Sequence, residues 1–322
     1  MTLPKRHVGA SEWERSQKAG PFFQEMKVLT NEQVEQYAKE GYVVVTDVFS
    51  DDLVERMRRV TDELVEQSRA LTASNDVFDL APSHTAQKPR VRRIKDPIKV
   101  DPVFMEALKH PKLIAALTSL LGPNLRVRNT KLNLKEAHVG DPVEWHQDWA
   151  FYPHTNQDVL AVGVMLDDCE LENGPLLIIP DSHQGEIHSH HTDGYFCGAM
   201  DPTTSNVDFG KAVPCTGKAG SFSIHHARAI HGSAENTSNR PRRLLLYEIA
   251  AVDAWPLIGG PTQDKSLAEF NERIIAGEPT IVPRMENVPV ILPLPPAPKQ
   301  GSIYENQTSL KNRFFATTAE AM

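Results

Sequence analysis

The sequence predicts a mainly β fold with helical additions, built as an antiparallel sandwich or barrel, and three observations carry that prediction. From residue 124 onward the chain runs in short β-rich stretches punctuated by turn residues, among them "NLRVRNTKLNLKE", "DVLAVGVMLDD", "GSFSIHHARAIHGS" and "RRLLLYEIAAV". The earlier residues show helical periodicity, so helices precede the strands rather than alternating with them, which argues against a βαβ sheet. No internal repeat or second core signature occurs, so residues 1–322 read as one domain: 28–125 mostly helical, 126–252 the β core, and 253–322 a helix, a proline-rich extended segment and a tail.

"LTNEQVEQYAKEGYVVV" places a helix start at Thr30, with Gln33 in the capping-box position, a stop at Gly41 and a strand after it. In "SDDLVERMRRVTDELVEQS", Ser50 can cap a second helix whose Leu53, Met57, Val60 and Leu64 recur at helical spacing. Residues 70–90 read as a polar loop, and "VDPVFMEALKHPKLIAALTSLLGPN" as one or two helices closed by Gly122 and Pro123. Beyond the β core, "SLAEFNERIIAG" reads as a helix. The prolines of "VPRMENVPVILPLPPAPKQG" deny that stretch both helix and central strand, leaving an extended wrapping segment and a partly mobile tail.

A net charge of −8 argues against nucleic acid as a general partner, because such binding needs a clustered positive surface. Cys169, Cys197 and Cys215 form an odd, widely spaced set without a C-x-x-C pair, which suits neither a disulfide framework nor a cysteine zinc site. The opening "MTLPKRHVGASEWERSQ" lacks the apolar core of a secretory signal, and no stretch approaches the roughly 18 apolar residues of a membrane span. A cytoplasmic protein without a membrane partner is expected, and no feature specifies an oligomeric state.

The chemistry is sought in "WHQDWAFY". A strand would present His146 and Asp148 on one face with Gln147 pointing away, so an imidazole and a carboxylate could share an ion. A distant histidine would complete two His and one carboxylate with three open positions, the arrangement of O₂-activating non-haem Fe(II). The H-x-D pair alone is weak evidence, and His191 and Asp193 form another, but in a polar, Gly- and Pro-bearing stretch that would hold a clamp poorly. Among the late histidines, His231 precedes the small Gly232 and Ser233, whereas His225 and His226 read as packing or hydrogen-bonding within their strand. Arg242 follows His231 by eleven residues and opens a β run. Buried there, it would need a carboxylate, which its planar fork matches bidentately; exposed in "NRPRR", it would need none.

These stretches resemble the phytanoyl-CoA dioxygenase family of Fe(II)/2-oxoglutarate-dependent oxygenases. The likeness runs over roughly residues 28–252 and rests on four features in order: H-x-D, the "NGPLLIIPDSH" hairpin, H-G-S, and an arginine eleven residues past that histidine. The resemblance implies a double-stranded β-helix, a jelly-roll-like barrel of eight core strands flanked by amino-terminal helices. It also implies that His146, Asp148 and His231 bind Fe(II) and act as the catalytic set, and that Arg242 rather than Arg243 holds the far carboxylate of 2-oxoglutarate. Ser233 would assist that carboxylate, Asn129 and Arg93 would line the cosubstrate pocket, and His183 would be structural. An aspartate at position 148 favours hydroxylation or another oxidation over halogenation, because halogenating relatives leave that place to chloride.

With Fe(II), 2-oxoglutarate and O₂, the implied reaction hydroxylates a C–H bond of a small organic substrate and releases succinate and CO₂. The protein supplies positioning and exclusion of water. Trp149 and Phe151, with Tyr152, either line the substrate pocket or pack beneath neighbouring loops. The alternative is a noncatalytic cupin-like metal or small-molecule binding protein, which predicts a damaged triad or a missing arginine. The denser H-x-H and Glu set of a cupin isomerase or hydrolase is lacking. Acyl-CoA thioesters, amino acids, phosphonates and secondary metabolites all stay open as substrates.

Overall fold

The computed structural model describes residues 27–260, 266–297 and 301–315. Helix α1 (Asn31–Glu40) begins on the expected capping box: the Thr30 hydroxyl accepts from the Gln33 N–H, and the Gln33 side chain accepts from the Thr30 N–H. Gly41 ends it at φ 78°, leading into β1 (Tyr42–Val45). Capped by Ser50, α2 (Asp51–Gln67) buries Leu53, Val54, Met57 and Leu64. The expected loop at 70–90 contains β2 (Phe78–Leu80), paired with β3 (Val91–Lys95); three residues are too few for periodicity to reveal. The next helical stretch divides into α3 (Pro97–Val100), α4 (Pro102–Leu108) and α5 (Pro111–Leu121). Each opens on a proline, whose missing N–H is tolerated only in a first turn.

Ten strands follow: β4 (Leu125–Lys135), β5 (Val143–His146), β6 (Val159–Met165), β7 (Leu176–Ile178), β8 (His191–Thr192), β9 (Tyr195–Phe196), β10 (Val213–Cys215), β11 (Phe222–His226), β12 (His231–Ser233) and β13 (Arg242–Ala251). The major sheet has the order β1-β11-β6-β13-β4-β3-β2, the minor sheet β10-β7-β12-β5, and β8 and β9 pair apart. Setting aside the β8–β9 pair, the core strands from β4 to β13 number eight, four in each sheet, with all named pairings antiparallel. This is a double-stranded β-helix open at its edges rather than a closed barrel. Three strands of the amino-terminal part, β1 to β3, extend the major sheet, so that part is less purely helical than the sequence suggests. The stretch read as one late helix is α6 (Leu267–Asn271) followed by β14 (Ile274–Ala276), which pairs with β4. The last helix, α7, spans Ile303–Asn306.

Alternation decides what each strand shows to each side. Leu160, Val162, Val164, Phe222, Ile224, Leu245 and Tyr247 pack with the helices in one core on the outer face of the major sheet. Ser223, His225, Leu244 and Leu246 are thereby turned inward, towards the minor sheet. On β4, Leu132 packs outward while Lys131 and Asn133 face a cavity between the sheets. A register shift between Glu248 and Ile249 then reverses the parity, so Val127 and Leu125 join the outer core. Among the described residues no helix is long and apolar enough to cross a membrane.

Burial pushes the imidazoles of His154, His190 and His226 down to about 3. The unfolded chain therefore binds protons that the folded chain refuses between pH ~6.5 and 3. These groups contribute stability above pH ~6.5 that is lost as pH falls toward 3. The expected result is a melting temperature that declines steeply below pH 6, with net proton uptake on unfolding, measured by thermal and urea denaturation from pH 8 to 4.

Candidate metal centre

Strand β5 ends at His146, so Asp148 does not lie on it as expected but opens a single 3-10 turn, Asp148–Ala150. The turn is held by its neighbours. Gln147 points away and is buried, its amide donating to the carbonyls of Glu186 (3.0 Å) and Arg228 (2.8 Å), and its backbone N–H donates to His190 Nε2 (2.8 Å). The Trp149 N–H donates to the Ala227 carbonyl (2.8 Å). His231 opens β12 directly across from His146, the ring centroids 4.1 Å apart.

The Nδ1 of His146 lies 2.8 Å from the Glu144 carbonyl and that of His231 lies 3.0 Å from the Ala229 carbonyl. Both Nδ1 atoms therefore act as donors, leaving each Nε2 with its lone pair free for a metal. Those atoms stand 3.9 Å from Asp148 Oδ1 and 4.0 Å from Asp148 Oδ2, respectively, and one donor atom from each residue lies within 4.8 Å of the others. Burial pushes the His146 imidazole down to about 4 and the His231 imidazole well below its usual range. Burial alone would raise the Asp148 carboxyl, but the charged and hydrogen-bonding groups around it, Lys131 among them, outweigh it and hold it well below the ordinary carboxylate range. Neutral imidazoles and an ionised carboxylate are the protonation states that bind a divalent cation.

The rival pair goes elsewhere. His191 reaches the Leu294 carbonyl, and Asp193, exposed in the turn between β8 and β9, pairs with Lys311. His226 is structural as expected, accepting from the Arg228 N–H and packing near Tyr37 and His183. His183 likewise packs against Gly41, where a Cβ would lie 2.5 Å from its Nδ1. His225 is different: it is 1% exposed, lines the cavity, and has Nε2 3.4 Å from Asp148 Oδ2. The signal that would have turned it inward was alternation with Phe222 and Ile224.

Arg242 opens β13 inside the same cavity, 2% exposed, with Nε and Nη2 donating to the Gly174 carbonyl (3.2 and 2.6 Å). Among the described residues no carboxylate lies within 4 Å of it. Arg243 faces outward to Asp167 (2.8 Å) and Asp62 (2.7 Å). Ser233 and Arg93 line the cavity, and Arg93 donates to Asn133 Oδ1 (2.9 Å). Asn129 does not line it: it sits further along β4 and donates to Glu248, while Asn133 occupies the cavity wall. Of the flanking aromatics, Trp149 is fully buried and packs, its Nε1 donating to the Pro289 carbonyl (3.0 Å), whereas Phe151 stands edge-on to His146 at 5.9 Å.

The carboxy-terminal segment supplies wall residues that no sequence pattern announced. Ile303 and Tyr304 of α7 line the cavity, and the guanidinium carbons of Arg92 and Arg93 lie 5.1 and 5.2 Å from the centroid of the Tyr304 ring. The buried Gln307 anchors this helix to β5 by donating to the Pro142 carbonyl and accepting from the Glu144 N–H, both at 3.0 Å.

The chain as a whole is similar to known proteins. The family described as phytanoyl-CoA dioxygenase matches residues 37–244. A probable alpha-ketoglutarate-dependent hypophosphite dioxygenase of Stutzerimonas stutzeri is 31% identical over 295 residues, covering 88% of this chain and 99% of that protein. An ectoine dioxygenase of Bordetella parapertussis is 26% identical, covering 66% of this chain and 73% of that protein. The solved structure of EctD from S. alaskensis with 2-oxoglutarate and 5-hydroxyectoine superposes with a TM-score of 0.59 at 25% identity, covering 71% of this chain and 78% of that one. Sequence, fold and a His-Asp-His donor set thus agree, and the chain belongs to the phytanoyl-CoA dioxygenase family as an Fe(II)- and 2-oxoglutarate-dependent dioxygenase.

Proposed function

We propose that this dioxygenase hydroxylates a small oxyanion, with His146, Asp148 and His231 holding the iron and Arg242 pairing with the far carboxylate of 2-oxoglutarate. The observation that carries the reading is Arg242: a buried guanidinium facing the donor set, with no carboxylate beside it among the described residues, is costly unless a ligand supplies one. Ser233, Asn133, Arg93 and Tyr304 line the space this cosubstrate would occupy. Bound iron(II) with 2-oxoglutarate would activate O₂, one oxygen atom ending in succinate and the other in the product, with CO₂ released. The residues orient both reactants and exclude water.

The substrate class follows from charge. Arg93, Lys131 and Arg242 line the cavity against one carboxylate, Asp148. The two charges of iron(II) and the two of 2-oxoglutarate cancel, so the lining stays positive even with Lys131 paired to Glu248. The Stutzerimonas relative, named for hypophosphite, matches over nearly its whole length and makes phosphorus oxyanions the first class to test. We also propose a reducing, cytoplasmic setting, supported by three cysteines that are free and buried.

The test is succinate formation by the iron-loaded enzyme with 2-oxoglutarate and O₂, using hypophosphite, small phosphonates and small carboxylates beside neutral and zwitterionic compounds such as ectoine and proline. Coupled turnover confined to anions is expected. Turnover only with uncharged or zwitterionic compounds would overturn the anion assignment.

A further inference from the structure

The mechanism sketched above leaves His225 unused, and the structure does not explain it as packing. Both of its ring nitrogens are buried without a hydrogen-bond partner. Leaving buried polar atoms unsatisfied is costly, a cost that an apolar ring filling the same space would avoid. Its position is fixed by strand pairing, opposite Tyr42 on one side and Ala161 on the other. It is not one of the three residues whose donor atoms converge for a single ion. Its ring instead lies beside His231, centroids 4.3 Å apart, with Nε2 3.4 Å from Asp148 Oδ2. The His225 imidazole and the Tyr152 hydroxyl, which is likewise buried without another partner, are the side chains that reach toward the Asp148 carboxylate, itself 3% exposed.

We infer that His225 is a positioning residue for the iron-binding carboxylate, its Nε2–H donating to Asp148 Oδ2 so that Asp148 serves the metal through Oδ1 alone. This rests on the reading that His146, Asp148 and His231 hold the iron. A small rotation of the imidazole converts the 3.4 Å approach into an aligned hydrogen bond, and an imidazole can carry the ring N–H required in either protonation state. Chemically, the contact decides how many positions the carboxylate occupies. A carboxylate held by one oxygen would leave room beside the metal for 2-oxoglutarate and O₂ that a carboxylate free to swing in with both oxygens would take up.

The test compares wild type with His225→Phe, which keeps the ring and removes the donor, and His225→Gln, whose amide nitrogen can reach about where Nε2 lies. Fe(II) affinity is measured anaerobically by competition with a chelator, and the charge-transfer absorption of the Fe(II)–2-oxoglutarate complex is recorded for each. The Phe variant is expected to bind Fe(II) about 10- to 100-fold more weakly, the usual effect of removing a ligand-orienting contact, and to shift the absorption band. The apo melting temperature should be unchanged or higher, and the Gln variant should recover most of both readouts. Wild-type affinity and spectrum in the Phe variant would overturn the inference, as would losses that Gln does not restore. A change confined to substrate KM would also overturn it, reassigning His225 to substrate binding. Failure of wild type to bind Fe(II) would bring down the metal-site reading itself.

Discussion

Asp148→Ala is expected to abolish iron-dependent 2-oxoglutarate turnover while the apo protein still folds. The carboxylate is the one anionic donor among the three converging side chains, and both imidazoles are held neutral by burial, so removing it takes away all the negative charge the protein offers the ion. The loss in Fe(II) affinity should exceed the roughly 10- to 100-fold typical of a supporting contact. The apo protein should still fold cooperatively, because the helices and the outer face of the major sheet form a core that does not include Asp148. The discriminating measurement is the melting temperature with and without Fe(II). Wild type should gain about 2.7 kcal/mol at a metal concentration 100 times Kd, and the variant should gain nothing at the same concentration. Full turnover by the alanine variant would move the clamp elsewhere. Loss of the apo transition would mean that Asp148 supports the fold.

How far the site was legible depended on whether its geometry is local. His146 and Asp148 could be read because two residues suffice to bring their side chains together, and the reading survived the replacement of the expected strand by a 3-10 turn. Arg242 and Arg243 separate by alternation alone, so the inward one followed once the strand was placed. Asn129 and Asn133 resist the same logic: four residues apart, they share the parity of β4, and only the pairing of Asn133 with Leu244 and Asn129 with Glu248 shows which is level with the cavity. His225 was readable in principle, since Phe222 and Ile224 had to face the helices. Tyr304 was not, because its place depends on α7 docking through Gln307 onto β5, more than 150 residues earlier, with no periodic signal along the way. Residues 274–276 show the same limit: "RIIAG" suits a helix end or an edge strand, and pairing with β4 decides for the strand.

The two adjacent arginines should give opposite phenotypes. Arg242→Leu is expected to raise the KM for 2-oxoglutarate by about 30-fold or more, corresponding to the 2–5 kcal/mol lost when one member of a buried, hydrogen-bonded charge pair is truncated. Fe(II) affinity in the absence of cosubstrate should stay near wild type, because Arg242 is not among the converging metal donors. The apo protein should not suffer either. Lys135 is buried close by, its ammonium donating to the carbonyls of Ser233 and Ala234, and burial together with Arg242 depresses its pKa well below the usual range. Removing the arginine relieves that repulsion. Arg243→Leu reverses the pattern: it leaves Asp167 without the guanidinium that meets both its oxygens, at 2.9 and 2.8 Å. The cost to stability should be about 1.5–3 kcal/mol with KM for 2-oxoglutarate unchanged. Urea denaturation and 2-oxoglutarate titration on the two variants separate these outcomes. Equal effects on KM would mean that the cosubstrate is held from both faces of β13, which the outward course of Arg243 forbids.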